Sequence, residues 1–248
     1  MRNLYLGLKF TFSYFSILPV RFKNSDDLSS KDILGSMLLF FPFVGVILGI
    51  LVVGLFHILE PLSWYGAVIS AVTYMMLYGF LHSEAVMDVA DAIYASHSGK
   101  DAYKVIKDPT VGAMGVLWAG SFLLLKTSGI VFLLMHHLFV EFISVLIISR
   151  LTLLMLFYTQ SFKSSFATQL KSSLTPKYLW SAFLLFGIIG FSLTSIHFLF
   201  LLAVGLVLGL FITLFIKSKI GFINGDVLGT TLESVEILLF VMVALFWL

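Results

Sequence analysis

The 248-residue chain is 60% hydrophobic and 11% charged, and its formal net charge at pH 7 is +2. A water-soluble domain carries about a quarter charged residues, so this composition excludes a soluble globular protein and requires a lipid environment. The small net charge excludes the basic footprint of a nucleic-acid-binding protein. The lack of cysteine excludes disulfides, thiolate metal sites and a cysteine nucleophile.

Apolar stretches predict membrane-spanning helices, because a bilayer core of about 30 Å requires about 20 helical residues. A first helix is predicted over 3–18, where Lys9 interrupts the apolar run and Pro19 ends it, so we place it at the membrane interface. Seven spans are predicted to follow, over 33–59, 63–81, 110–135, 138–158, 179–193, 197–216 and 235–248. The expected fold is therefore an all-α, polytopic integral membrane bundle of about seven transmembrane helices, forming one domain over residues 1–248.

The basic residues predict the orientation of this bundle. With a cytoplasmic N-terminus, every Lys and Arg except Lys126 and Arg150 lies in a cytoplasmic segment, namely 1–32, 82–109, 159–178 or 217–234. This distribution follows the positive-inside rule. The same orientation places the acidic stretch that begins at Glu84 on the cytoplasmic side, so we expect the chemistry to face the cytoplasm.

The stretch "LHSEAVMDVADA" (81–92) contains the first candidate site. Glu84, Asp88 and Asp91 are spaced i, i+4 and i+7, so they share one face of a helix, where like charges repel. A divalent cation would relieve this repulsion, and oxygen ligands without cysteine favour Mg²⁺ or Mn²⁺. A solvated acidic helix face is the alternative. His82 lies on the other side of the helix, where a structural role is favoured.

The stretch "IKDPTVGAMGV" (106–116) is typical of a helix start. Asp108 can cap the helix, and Pro109 suits its first turn. Gly112 and Gly115 allow close approach of backbone or ligand. With two preceding lysines, this helix N-terminus is a candidate phosphate site. The alternative is that the small residues serve helix packing in the membrane.

The stretch "GDVLGTTLESVE" (225–236) places Asp226, Gly229 and Glu233 at i, i+3 and i+7, and Glu236 at the mouth of the last span. These acids could form the second half of a metal site or supply a base for a hydroxyl nucleophile. The alternative is a capped helix start with solvated acids.

The sequence resembles those of the cobalamin synthases, which are adenosylcobinamide-GDP ribazoletransferases. The resemblance is in these three motifs, in their order along the chain, and in "LPV" (18–20), "FPFVGVILG" (41–49) and Arg150. The resemblance is collinear and covers nearly the whole chain. It departs from the family pattern in the acidic motif, where Glu84 replaces an aspartate and Ala85 and Ala92 replace glycines.

The resemblance implies a transferase of cobalamin biosynthesis in the cytoplasmic (inner) membrane of a bacterium or archaeon. It would join adenosylcobinamide-GDP to α-ribazole, or to its 5′-phosphate, and release GMP. A ribose hydroxyl then attacks a phosphoryl group, which requires neutralisation of phosphate charge and a positioned hydroxyl. The sequence also allows a homo-oligomer.

We assign the parts of this chemistry to the residues that the motifs supply. The Mg²⁺ ligands are Glu84, Asp88 and Asp91. Asp226 is a second metal ligand or the base. The remaining catalytic residues are Asp108 and Lys107. The residues that bind substrate are Lys104, Gly112, Gly115 and Arg150. Of these two sets, Lys104 and Lys107 contact the phosphates.

Two other functions stay open. A membrane phosphotransferase that uses CDP-linked alcohols also gathers aspartates at the cytoplasmic face, but its aspartate, glycine and arginine signature is not found in this sequence. A transporter would account for Lys126, Glu141 and Arg150, because charges within spans are costly and usually functional. The polarity is concentrated on one face rather than spread through the spans, which favours an enzyme.

Overall fold

A computed structural model describes residues 2–246. Over that range the chain is helical and contains no strand, which confirms the expected all-α class. The last two residues of the predicted final span, 247 and 248, lie outside the described residues. The helices are α1 (Arg2–Phe15), α2 (Lys31–Leu39), α3 (Phe41–Leu59), α4 (Trp64–Leu77), α5 (Leu81–His97), α6 (Ala102–Ile106), α7 (Ala113–Met135), α8 (Phe139–Thr159), α9 (Ser165–Ser173), α10 (Pro176–Thr194), α11 (Ile196–Ile220) and α12 (Gly225–Phe246), with a 3₁₀ turn over Glu60–Leu62.

Six of the described helices, α3, α7, α8, α10, α11 and α12, are long and apolar enough to cross a membrane by themselves. The 14-residue α4 passes the same test only together with α5, and the two are bent by 78° relative to each other. The structure therefore agrees with six or seven spans. We take α4 as the seventh, and place the acidic α5 outside the spanning segments, at the polar end of the bundle.

The prediction of one continuous helix over 33–59 is wrong, because this range contains two helices that meet at Phe40. Pro42 stands in the first turn of α3. Proline has no N–H and clashes with the preceding turn, so it favours a break or kink in the helix at this point. The N-terminal helix α1 packs on the first of these helices, where Thr11 Oγ1 donates a hydrogen bond to the carbonyl of Met37 at 2.8 Å.

The start of the last predicted span is also wrong, because α12 begins at Gly225 rather than at residue 235. The Val227 N–H donates to Asn224 Oδ1 at 3.1 Å, which is an N-cap. Glu233 and Glu236 are therefore not at the cytoplasmic mouth of the span. Both are buried inside the bundle.

Helices α8 and α12 form the centre of the bundle. In their most apolar stretches 78% and 72% of the residues are buried, against 22–39% in the other spanning helices. A helix surrounded by protein is apolar on all sides or pairs its polar groups with neighbours. These two helices carry the buried Arg150, Glu233 and Glu236, so the polar contacts of the interior converge on them.

The segments predicted to be cytoplasmic meet at one end of the bundle. Ser96 Oγ donates to the carbonyl of Lys219 at 2.9 Å, and the Lys163 N–H donates to the carbonyl of Ile223 at 2.8 Å. The first contact joins the end of α5 to the end of α11, and the second joins the loop after α8 to the loop after α11. The acidic motif and the start of α12 therefore lie on the same face.

Reporter fusions should locate this face. Fusions at Ser96, Ser172 and Lys217 are expected to report cytoplasm, and a fusion at Leu248 the opposite side, because the basic segments stay inside. Alkaline phosphatase and fluorescent-protein fusions measure the two outcomes. A cytoplasmic signal at Leu248 would show that the number of spans is even, and split signals at Ser96 and Lys217 would contradict a common face.

Candidate active site

A cavity of about 700 Å³, the larger of the two that share Lys107, lies at the polar end between α5, α7 and the loop that joins them. Its polar lining includes Glu84, Asp88, Lys107 and Asp108, all of which the sequence predicted as site residues. Glu84 is exposed, and Asp88 is half-buried. This cavity therefore brings two of the three predicted metal ligands together with a lysine.

Negative charge is crowded around Asp88. Its pKa is raised to about 6, first by burial and then by the charges of Asp226, Glu84 and Asp91, whereas Lys107 opposes the shift. A carboxyl group with such neighbours resists ionisation, and a nearby cation would stabilise its charged form. The acids of α5 and α12 thus belong to one electrostatic unit.

A smaller cavity of about 290 Å³ lies on the other side of α5 and also has Lys107 in its lining. Asp226 lines it, with Oδ2 accepting a hydrogen bond from Asn224 Nδ2 at 2.6 Å. Lys107 therefore stands where the two cavities meet. Asn224 was not among the site residues predicted from the sequence. The signal for it was a helix-capping asparagine directly before the glycine and aspartate.

His82 lines the smaller cavity and is buried. Its pKa is lowered to about 3, first by burial and then by the positive charges of Arg150 and Lys126. The imidazole is therefore neutral at physiological pH and can serve as a hydrogen-bonding group but not as a cation.

Asp91 caps the first turn of α7. Its Oδ2 accepts a hydrogen bond from the Gly112 N–H at 2.6 Å, and its Oδ1 accepts one from the Gly115 N–H at 2.7 Å. A Cβ added at Gly112 would lie 2.6 Å from Asp91 Oδ1, and one at Gly115 would lie 2.5 Å from Oδ2. The two glycines predicted to admit a phosphate thus admit this carboxylate.

Replacing Gly112 by alanine should separate Asp91 from α7. We expect a loss of about 1 kcal/mol in the free energy of unfolding, the usual cost of losing an N-cap. Hydrogen exchange at the amides of residues 112 and 115 should accelerate. Gly187→Ala is the matched control, since its added Cβ meets nothing within 4 Å. Unchanged exchange in Gly112→Ala would contradict the capping role.

The helix start predicted at Asp108 and Pro109 is wrong, because α7 begins at Ala113. Asp108 instead stabilises a turn in the loop: its Oδ1 accepts hydrogen bonds from the Thr110 hydroxyl at 2.6 Å and the Thr110 N–H at 2.9 Å. These bonds lower the pKa of Asp108. Lys104 is exposed on α6.

Arg150 lies in a buried ion network and lines neither of the two cavities. Its NH1 is 2.6 Å from Glu236 Oε1, and Lys126 Nζ is 2.8 Å from Glu236 Oε2 and 2.7 Å from Glu233 Oε2. Two positive and two negative charges therefore neutralise each other inside the bundle. The assignment of Arg150 to substrate binding stays a prediction.

The donor set has the chemistry that Mg²⁺ requires, although it does not form a complete cage. Within residues 2–246, no group of three or more His, Asp or Glu side chains could hold a metal ion. Mg²⁺ commonly binds through one or two carboxylates and completes its coordination with substrate phosphates and water. Glu84 and Asp88 on the larger cavity match that pattern. Asp91 is not in that lining and its two oxygens each accept one hydrogen bond from α7, so its assignment as a metal ligand stays a prediction.

Comparison with known proteins identifies relatives over nearly the whole chain. Residues 7–244 match the family described as cobalamin-5-phosphate synthase. The chain is 30% identical to the adenosylcobinamide-GDP ribazoletransferase of Clostridium perfringens (strain SM101), over 95% of this chain and 96% of that protein. It is 28% identical to the protein of that name from Chlorobium chlorochromatii, over 96% of each chain. No solved structure gives a significant match.

Proposed function

Because the chain belongs to the cobalamin-5-phosphate synthase family and acts in cobalamin synthesis, we propose that its reaction is a Mg²⁺-dependent phosphoryl transfer at the cytoplasmic face of the cytoplasmic membrane. It joins adenosylcobinamide-GDP to α-ribazole or its 5′-phosphate and releases GMP. The family membership confirms the resemblance seen in the motifs. The distribution of the basic residues supports the orientation.

The single observation that carries this proposal is the position of Lys107, which lines both cavities. A transfer between two substrates requires two sites that meet at the reacting phosphorus. Glu84 and Asp88 lie on the side of the larger cavity, and Asp226 lies on the side of the smaller one. Donor phosphates and acceptor hydroxyl can therefore approach the same lysine from opposite sides.

The residues divide the chemical work. A ribose hydroxyl forms the new P–O bond, the bond between this phosphorus and GMP breaks, and the hydroxyl proton passes to Asp226. Asn224 holds the Asp226 carboxylate in one orientation through its 2.6 Å hydrogen bond. Lys107 stabilises negative charge on the transferred phosphoryl group, as preorganised cations do in phosphoryl transfer. Asp226 is the base in this assignment rather than a second metal ligand.

Glu84 and Asp88 would hold Mg²⁺, which when bound neutralises phosphate charge. The raised pKa of Asp88 supports this role, because the excess negative charge that raises it is what a cation would offset. Asp91 keeps the start of α7 attached to α5, and thereby positions the loop that carries Lys107.

Purified protein in proteoliposomes tests the proposal. With Mg²⁺, adenosylcobinamide-GDP and α-ribazole, we expect equal amounts of GMP and cobalamin product, and neither product when EDTA removes the metal. Omitting α-ribazole is the control for simple hydrolysis. Corrinoid uptake into the vesicles without GMP release would support the transporter alternative and contradict the enzyme.

A further inference from the structure

The smaller cavity has a wall of aromatic side chains that the chemistry proposed above does not use. Tyr14 and Phe15 come from α1, Phe157 from α8 and Phe166 from α9. The rings of Tyr14 and Phe166 have their centroids 5.3 Å apart and are tilted by 38°. The N-terminal helix and the consecutive helices α8 and α9, which are distant from it in sequence, thus bring flat apolar surfaces to one place at the polar end.

These rings are not simply part of the closed core. Phe15 and Phe157 are each 7% exposed, but Tyr14 is 40% exposed and Phe166 is partly exposed. Tyr14 and Phe166 therefore keep part of their surface open to a molecule that enters the cavity. Flat heteroaromatic groups stack on aromatic side chains, and the strength of this stacking depends little on which heteroaromatic group it is.

The lining of the same cavity is also polar in part. Asp226 and the neutral His82 line it, and Lys107 stands at its junction with the larger cavity. Tyr14, Phe166 and Asp226 line this one cavity, so the aromatic and acidic groups can contact the same ligand. A ligand that fits has a flat aromatic part at one end and hydroxyl groups at the other.

The larger cavity suits a different molecule. Phe80 is the single aromatic ring in its lining, and its polar residues include Glu84, Asp88 and Lys107. This surface is suited to the metal-bound phosphates of the donor. Its volume of about 700 Å³ is also more than twice the 290 Å³ of the smaller cavity. Small-molecule sites span about 300–1,000 Å³, so the smaller cavity lies just below that range and suits only a small ligand.

We infer that the smaller cavity is the acceptor site, where the flat base of a ribazole nucleoside stacks on Tyr14 and Phe166 and its ribose faces Asp226. This inference rests on the proposed function and adds to it which cavity receives which substrate. Nucleotide donor and metal then occupy the larger cavity, and the reacting hydroxyl and phosphorus meet at Lys107.

Phe166→Leu tests the inference, because it removes the ring and keeps an apolar side chain at a partly exposed position. We expect the KM for α-ribazole to rise about tenfold, as for the loss of one stacking contact. The KM for adenosylcobinamide-GDP and kcat should stay unchanged. Phe183→Leu on α10 is the matched control, since this ring is also partly buried and does not line the cavity.

Calorimetry with α-ribazole alone separates this inference from the proposed function. The wild-type protein should bind α-ribazole, and Phe166→Leu should bind it about tenfold more weakly. If GMP is released normally but Phe166→Leu changes neither the KM nor the affinity for α-ribazole, the acceptor site is wrong and the function stands. An equal rise in both KM values also overturns the inference. If no GMP is formed, the proposed function fails, and the calorimetric difference alone decides whether a ribazole binds in this cavity.

Discussion

Asp88→Asn is expected to lower turnover by about 10²–10³-fold, the usual cost of losing one group that stabilises charge in a transition state. Asparagine keeps the size of the side chain and one oxygen, but it removes the charge that would hold Mg²⁺. Asp88 is half-buried on the larger cavity and has Asp226, Glu84 and Asp91 as electrostatic neighbours. Because Asp88 lies in this crowded group of negative charges, removing its charge should leave the fold intact.

Steady-state kinetics across a Mg²⁺ titration measure this effect. The Mg²⁺ concentration for half-maximal activity should rise in Asp88→Asn, and also in Glu84→Gln if the longer side chain at this position binds the metal. Asp101→Asn is the matched control, because Asp101 caps α6 through the Tyr103 N–H at 2.9 Å and asparagine caps equally well. Full activity of Asp88→Asn at limiting Mg²⁺ would remove the proposed metal site.

Lys126→Met should reduce the free energy of unfolding by about 3–5 kcal/mol, the cost of leaving a buried charge without its partner. Lys126 is fully buried and contacts Glu233 and Glu236 at 2.7 and 2.8 Å. Arg150 would still pair with Glu236, but Glu233 would lose its cation. Thermal or denaturant unfolding in detergent measures the loss, with Lys100→Met in the exposed loop as the control.

A second substitution shows whether charge or packing causes this loss. Lys126→Met combined with Glu233→Gln restores a neutral network, because one positive and one negative charge remain, on Arg150 and Glu236. We expect the double variant to regain most of the lost stability. A double variant as unstable as Lys126→Met would show that the lysine acts through packing rather than through its charge.

The spanning helices were predictable because lipid imposes a local rule. Every backbone N–H and C=O in the bilayer must be satisfied within its own helix, so hydropathy and length mark the spans without knowledge of their neighbours. The helices α7, α8, α10 and α11 lie within a few residues of their predicted ranges for this reason. The order of the motifs along the chain was likewise sufficient to identify the family.

The partners of the acids could not be predicted in the same way. Asp91 lies in the predicted cluster, but its hydrogen-bond partners are Gly112 and Gly115, which follow it by 21 and 24 residues. Helical periodicity shows which acids share a face, but it does not show what another helix brings to that face. The packing of α5 against α7 therefore decides that Asp91 is hydrogen-bonded to the start of α7, while Asp88 lines the larger cavity.

The sequence by itself determined the membrane class, the helices, the collection of polar segments at one end and the family. Only the tertiary structure decided that Glu233 and Glu236 lie inside the bundle, and that Lys107 lines two cavities. The physical reason is that a charge inside a membrane protein is stable only beside an opposite charge. Glu233 has Lys126 as its partner, 107 residues away in the sequence. Glu236 has two partners, Lys126 and Arg150, and the latter is 86 residues away. Hydropathy along the chain contains no information on contacts between residues this far apart, because packing of separate helices creates them.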